Sequence, residues 1–136
     1  MANRGLGEKY QGMNWLRPEK RLAIYLRDGL ACAYCGEGIE DGATLTLDHL
    51  VPHHQGGSNE VANLVTACRR CNSSRGERDY REFAVSVAAY LNHGVVAGAI
   101  IEHIEASVQR TLDLAAAKDL IARRGGFSAA LHGMQD

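Results

Sequence analysis

The stretch LTLDHLVPHHQGGSNEVANLVTACRRCN, residues 45–72, decides the fold of this chain. Residues 44–50 are rich in β-branched side chains and alternate in polarity, which predicts a strand. A proline and a Gly-Gly pair then predict a loop. A short apolar run at residues 64–67 can pair back as a second strand. The stretch therefore predicts a β-hairpin whose loop is rich in histidine.

The four cysteines fall into two pairs of one spacing, CAYC before the hairpin and CRRC at its end. Two thiolates separated by two residues can bind one ion from a tight turn, and a second pair completes a tetrahedron around zinc. Disulfides would need an oxidising compartment, and a thioredoxin-like redox site would need only one pair in a βαβ pattern. Structural zinc is therefore expected at Cys32, Cys35, Cys68 and Cys71. The 32 residues between the pairs exceed the usual gap of a compact zinc ribbon, so a folded segment is expected there.

Helical patterns flank this central region. Pro18 suits the start of a helix over residues 18–28 and Gly29 suits its end. Its apolar side is expected to face the core, leaving four basic side chains toward solvent or a ligand: Arg17, Lys20, Arg21 and Arg27. Two more helices are expected over about 69–76 and 79–92, the latter ending at Asn92-His93-Gly94.

The last third of the chain is expected to be helical as well. Apolar positions between residues 97 and 116 recur at steps of three and four, and Gly125-Gly126 suits the end of that helix. The predicted fold class is α+β. A single domain over residues 1–136 is expected, with a core over 17–81 and a helical C-terminal extension over 82–136.

The composition is that of a soluble globular protein, with 46% hydrophobic residues, 23% charged residues and a net charge of −1. The N-terminal residues lack the layout of a secretory signal, and the longest apolar run near the C-terminus is too short to cross a bilayer. A cytoplasmic protein without a membrane partner is expected.

The net charge is the sum of basic blocks at 1–36 and 69–81 and an acidic block between them at 37–68. A local basic face is sufficient for contact with phosphate, so the near-neutral net charge does not exclude a nucleic-acid partner.

Several motifs occur in one order between residues 27 and 78: two cysteine pairs, Asp-His-x-x-Pro, Gly-Gly, Asn-Leu and Cys-Asn-x-x-x-Gly. This combination resembles the HNH endonucleases of the ββα-metal (His-Me finger) type, in the subgroup that carries a four-cysteine zinc. The resemblance covers about two fifths of the chain. It implies a zinc-stapled ββα-metal core with flanking N- and C-terminal helices, and a metal-dependent endonuclease that hydrolyses DNA phosphodiester bonds.

The resemblance also implies a role for each matching residue. His49 is expected to be the general base, and Asn63 to hold the hairpin loop and orient His49 through backbone hydrogen bonds. Asp48 and Asn72 are expected to bind the catalytic divalent ion. Many relatives carry histidine where this chain has Asn72, and an amide oxygen prefers hard cations such as Mg²⁺ or Mn²⁺. Because Asp48 and His49 are adjacent in a strand, their side chains should face opposite ways unless the strand bends.

Basic side chains next to this site are candidates for contact with nucleic acid. Arg75, three residues beyond the Cys-Asn motif, is the best single candidate, followed by Arg70 and Arg78, although solvated surface charge is the alternative. His53 and His54 either assist at the phosphate or are solvated loop residues. The expected partner is double-stranded DNA. An apolar stripe on the C-terminal helices raises the possibility of a homodimer.

The rival interpretation is a zinc-stabilised module that binds nucleic acid without cutting it, and a nuclease acting on RNA is a third. The presence of Asp48, His49 and Asn72 together favours the DNA endonuclease. The biological role stays open among phage functions, bacterial defence such as restriction, mobile-element homing and repair.

Overall fold

The computed structural model describes residues 15–91 and 94–133. Its centre is the predicted hairpin, in which strand β1 (Leu45–His49) pairs antiparallel with strand β2 (Leu64–Cys68). Leu45 lies opposite Cys68, and His49 lies opposite Leu64. Helix α2 (Arg69–Arg75) follows β2 without an intervening loop. The ββα arrangement and the α+β fold class predicted from the sequence are confirmed.

Helix α1 (Pro18–Arg27) precedes the hairpin, with Pro18 in its first turn. Gly29 follows at φ +81°, a left-handed conformation that glycine adopts without strain. The helix buries Leu22, Ile24 and Tyr25 against the hairpin and the C-terminal helices. The start and end of this helix agree with the sequence prediction.

The expectation that Arg27 faces solvent or a ligand is wrong. Its side chain is 1% exposed, and its Nε lies 2.7 Å from Oδ1 of Asp28. Its terminal nitrogens donate to the carbonyl oxygens of Val61 and Leu64. Asp28 in turn accepts from the backbone N–H of Thr66 at 2.8 Å. Because the end of α1 abuts β2, unpaired strand and loop carbonyls need a donor there, and Arg27 supplies it.

Within the described residues, four helices follow α2: α3 (Tyr80–Leu91), α4 (Ala97–Ser107), α5 (Leu114–Arg124) and α6 (Phe127–His132). The prediction of one continuous helix from residue 97 to Gly125 is wrong, because the chain leaves helical geometry after Ser107. Asp113 begins a new helix, since its side chain accepts from the backbone N–H of Ala116 at 3.0 Å. Helix α6 was not predicted. The predicted helix end at Asn92-His93 lies outside the described residues.

The apolar side chains form two clusters, one on each side of the hairpin. One cluster joins the first cysteine pair, β2, α3 and α4; the other joins α1, β1, α5 and α6. Ile100, Ile104 and Val108 belong to the predicted apolar stripe and are buried in the first cluster. This stripe is therefore covered within the chain, and it no longer supports a homodimer.

None of the helices in the described part of the chain is long and apolar enough to cross a membrane.

Candidate active site and cysteine cluster

The four cysteines meet at the junction of the first pair, β2 and α2. Their sulfur atoms all lie within 4.8 Å of one another, no disulfide joins them, and the Sγ atoms of Cys35 and Cys68 are 3.8 Å apart. A tetrahedral zinc site with Zn–S bonds of about 2.3 Å places its sulfurs roughly 3.8 Å apart. The cluster thus has the donor set and the spacing of a closed metal site.

Hydrogen bonding around the sulfurs also suits a bound cation. The backbone N–H groups of Tyr34 and Cys71 donate to Cys32 Sγ and Cys68 Sγ, both at 3.4 Å. Hydrogen bonding with Cys32 lowers the pKa of Cys68 to about 6, whereas hydrogen bonding with the same neighbour raises the pKa of Cys71 well above the usual thiol value. Four thiolates cannot ionise side by side without a positive charge among them, so a divalent ion is the natural replacement for the shared protons.

A cavity of about 850 Å³ opens at the end of β1, between the hairpin loop and the C-terminal half of α2. Three of the predicted site residues line it: Asp48, His49 and Asn72. Asn63 is not among the lining residues. Although Asp48 and His49 are adjacent in β1, both line this cavity, so the expected opposite orientation of their side chains does not separate them.

The Asp48 carboxylate is held from two sides. Its Oδ2 accepts from the hydroxyl of Tyr34 at 2.7 Å and from Nη1 of Arg75 at 2.8 Å. The side chain is 3% exposed, and the carboxylate forms an ion pair with Arg75, whose side chain is 1% exposed. Burial and the neighbouring Asp48 charge raise the pKa of Tyr34, which therefore keeps its proton as a hydrogen-bond donor.

Asn72 presents an unused acceptor. Its Nδ2 donates to Thr46 Oγ1 at 2.8 Å and to the carbonyl oxygen of Leu47 at 3.1 Å, which fixes the amide group against β1. Its Oδ1 is buried and has no hydrogen-bond partner within the described structure. An unsatisfied buried oxygen costs about 1–3 kcal/mol. A hard cation is a fitting partner for this amide oxygen and the neighbouring Asp48 carboxylate.

The His49 ring is fixed by neighbours that the sequence analysis did not identify. Its Nε2 lies 2.7 Å from Oδ1 of Asn59 in the hairpin loop. Because an amide oxygen only accepts, Nε2 carries the proton in this contact and Nδ1 keeps its lone pair. The ring also packs against Trp15 at 5.0 Å and lies 5.9 Å from the His53 ring, measured between centroids. Nothing in the local sequence distinguishes Asn59 or Trp15 as such partners.

Asn63 and Gly57 hold the two ends of the hairpin loop close together. The Asn63 side chain accepts from the backbone N–H of Val51 at 2.9 Å and donates to the carbonyl oxygens of Val51 and Ser58. Gly57 packs so closely that an added Cβ would overlap the Val51 carbonyl oxygen. These contacts keep the loop that carries Asn59 against the end of β1.

Arg75 is enclosed in the fold, so the structure does not support the nucleic-acid contact that the sequence predicts for it. Its side chain is enclosed and donates to Asp48 and to the carbonyl oxygens of His49, Leu50 and Arg78, at distances of 2.7–2.8 Å. The helix turns this residue toward the backbone at the end of β1, where several carbonyls need a donor. The guanidinium group has no free face for a phosphate.

The two other predicted arginines differ in their surroundings. Arg78 lies along α2, donating to the Ser74 carbonyl oxygen at 2.9 Å, with its guanidinium 5.0 Å from the Phe83 ring centroid. The Arg70 side chain is 63% exposed and approaches Glu37 at 3.6 Å. Arg70 and Arg78 are both exposed, so both remain candidates for contact with a phosphate. His53 and His54 are exposed at the cavity rim, where Nε2 of His54 lies 3.2 Å from Oε1 of Glu77.

Comparison with known proteins places the matching segment on this site. Residues 32–78 match the family model described as HNH endonuclease. The chain is 41% identical over 59 residues to the "CRISPR-associated endonuclease Cas9" of Corynebacterium diphtheriae, covering 43% of this chain and 5% of that protein. It is 44% identical over 65 residues to the protein of the same name from Actinomyces naeslundii, covering 47% and 6%. The chain thus spans about one twentieth of these relatives. No solved structure gives a significant match. The family match is thus to an HNH endonuclease domain over residues 32–78, about a third of the chain.

Proposed function

We propose that this protein is a metal-dependent endonuclease that hydrolyses phosphodiester bonds in double-stranded DNA, with a structural zinc ion at its four cysteines. The observation that carries the proposal is the buried, unpartnered Oδ1 of Asn72, in a cavity that Asp48 and His49 also line. The family match and the endonuclease names of the relatives support the same reaction class.

The charges around the cavity support a requirement for a divalent ion. Among the described residues that line the cavity there is no lysine or arginine, and the Asp48 carboxylate is already paired with Arg75. These lining side chains, within residues 15–91 and 94–133, therefore bring no permanent positive charge to a phosphate. Asp48 and Asn72 would hold Mg²⁺ or Mn²⁺, which when bound would polarise the phosphoryl group and stabilise the departing 3′ oxyanion.

His49 is proposed as the general base. With Nε2–H donated to Asn59, its Nδ1 is free to accept a proton from the attacking water. The packing against Trp15 and the hydrogen bond to Asn59 fix the ring before substrate arrives. A positioned base of this kind contributes typically ~10²–10⁴ in rate. Asn63 contributes indirectly, by holding the hairpin loop that carries Asn59.

The rival function is binding of nucleic acid without cleavage. A pure binding module has no need for an unsatisfied buried oxygen beside a carboxylate and a histidine, because such an oxygen costs stability. The presence of this costly arrangement favours the enzyme.

A plasmid-nicking assay separates the two functions. Zinc-loaded protein is incubated with supercoiled plasmid in buffer without divalent ions, with Mg²⁺ or with Mn²⁺. Simple omission of the ion is preferable to a chelator, because a chelator would also remove zinc. Nicking is expected only with the added ion, and His49→Ala should lose it by roughly 10²–10⁴-fold.

His103→Ala serves as the matched control, because His103 is exposed on α4 away from the cavity. It should cut like the unaltered protein. Plasmid binding is measured in parallel. If the unaltered protein and His49→Ala bind equally and neither cuts with any divalent ion, the binding module is the correct function. Preferential cutting of single-stranded RNA in the same assay would move the substrate class to RNA.

A further inference from the structure

Tyr34 connects the cysteine cluster with the proposed divalent-ion site. It lies between Cys32 and Cys35 in the first cysteine pair, and its backbone N–H donates to Cys32 Sγ. Its ring is buried and meets the Phe83 ring edge-on, with centroids 4.9 Å apart. Its hydroxyl donates to Asp48 Oδ2 at 2.7 Å. One residue thus contacts a sulfur of one site and a carboxylate of the other.

The two oxygens of the Asp48 carboxylate differ in their hydrogen-bond partners. Tyr34 and Arg75 both donate to Oδ2, so the contacts that the structure gives for this carboxylate leave Oδ1 to a ligand. Arg75 neutralises the negative charge of the Asp48 carboxylate. Tyr34 is a neutral donor, and its hydrogen bond fixes the orientation of the carboxylate group. A bond of 2.7 Å is short, as expected for a hydroxyl that donates to an ionised carboxylate. Without the Tyr34 hydroxyl, the carboxylate group would be free to turn about the remaining contact with Arg75.

We propose that Tyr34 is a positioning residue for the divalent ion: anchored in the cysteine cluster, it fixes the Asp48 carboxylate so that one oxygen faces the cavity. This inference rests on the proposed function. It adds that the cysteine cluster orients a ligand of the catalytic ion as well as stabilising the fold. Hydrogen-bonding partners of metal ligands typically contribute about 10–100-fold to metal affinity.

The test is Mn²⁺ binding to the zinc-loaded Tyr34→Phe protein, followed by the electron paramagnetic resonance signal of free Mn²⁺ in the absence of DNA. The substitution removes one oxygen and keeps the ring against Phe83. The variant is expected to retain zinc, to fold, and to bind Mn²⁺ about 10-fold more weakly. Its nicking rate should need about 10-fold more Mn²⁺ to reach half of its maximum and should reach the same plateau.

Tyr80→Phe is the matched control. Its hydroxyl also donates to a carboxylate oxygen at 2.7 Å, that of Glu105, and neither residue lines the cavity. Tyr80→Phe should leave Mn²⁺ affinity unchanged. Asp48→Asn should abolish the binding and thereby locate it.

The outcomes distinguish the two proposals. Unchanged Mn²⁺ affinity in Tyr34→Phe, or loss of zinc from it, would overturn the positioning role and leave the nuclease proposal standing. Failure of the unaltered protein to bind Mn²⁺, or equal binding by Asp48→Asn, would overturn both.

Discussion

Replacement of Arg75 by methionine gives the sharpest test of the structure, because the two interpretations of this residue predict opposite results. Arg75 is 1% exposed and pairs with the buried carboxylate of Asp48. It also donates to the carbonyl oxygens of His49, Leu50 and Arg78. Methionine has a similar length but donates no hydrogen bond. The variant leaves a buried carboxylate without its cation and several carbonyls without a donor.

The expected cost is about 3–5 kcal/mol, the range found when one partner of a buried ion pair is removed. This is a large share of a typical stability of roughly 5–15 kcal/mol. The melting temperature should fall by roughly 10–20 °C for a chain of this size. Urea unfolding of zinc-loaded protein at fixed free zinc, followed by circular dichroism, measures the loss.

Arg70→Met is the control, because its side chain is 63% exposed. Its stability should change by no more than about 0.5 kcal/mol. If Arg70 contacts a phosphate, the slope of log affinity for DNA against log salt should decrease by about 0.9 in that variant. Arg75→Met should leave the slope unchanged. Near-normal stability of Arg75→Met together with a reduced slope would refute the structural role and restore the phosphate contact.

Other perturbations test separate parts of the site. Removal of zinc by a strong chelator should abolish the cooperative unfolding transition, because structural zinc contributes about 10–16 kcal/mol in zinc-finger peptides; an unchanged thermal transition in zinc-free protein would count against a structural metal. Asn72→Ala should remain folded but lose nicking, since it removes the unpartnered oxygen; undiminished nicking would exclude Asn72 as a ligand. Asn59→Ala should lower the nicking rate by up to about 10² at unchanged DNA affinity, because the His49 ring loses its partner; a normal rate would remove Asn59 from the mechanism. Gly57→Ala should impair nicking, because the added Cβ would overlap a backbone oxygen. Gly98→Ala in α4, where space is open, should instead stabilise the fold by about 0.5–1 kcal/mol. Equal effects of the two substitutions on nicking would contradict the loop geometry.

The hairpin, the cysteine cluster and the first helices could be predicted because their signals are local. Alternation along β1, the Gly-Gly pair and the spacing of the cysteines each constrain a few neighbouring residues. The break before α5 was missed for a related reason. The helical spacing of apolar residues continues through residues 108–113 and predicts an unbroken helix. Asp113 is an equally local signal for a new helix start, but the apolar spacing conceals it.

The partners inside the site could not be predicted, because they depend on which backbone groups the fold leaves unpaired. A sequence gives the charge of Arg27 and Arg75 but not the position of the carbonyl oxygens around them. Both residues were expected at the surface, and both are enclosed among such oxygens. Asn59 is likewise one of several polar loop residues until the loop folds back onto His49.

The enclosure of Arg75 changes what the basic block at residues 69–81 can do. The block carries a net charge of +3, which suggested a phosphate-binding face. Yet the charge of Arg75 is paired with Asp48 inside the fold, and Arg81 lies within 4.0 Å of Asp79 and Glu105. Without Arg75 the block keeps a net charge of +2, and Glu105 beside Arg81 lowers the local charge further. We expect a bound divalent ion to add to the attraction of the substrate, so affinity for DNA should increase when Mg²⁺ or Mn²⁺ is added, although these ions weaken most purely electrostatic contacts with DNA by competing for its phosphates.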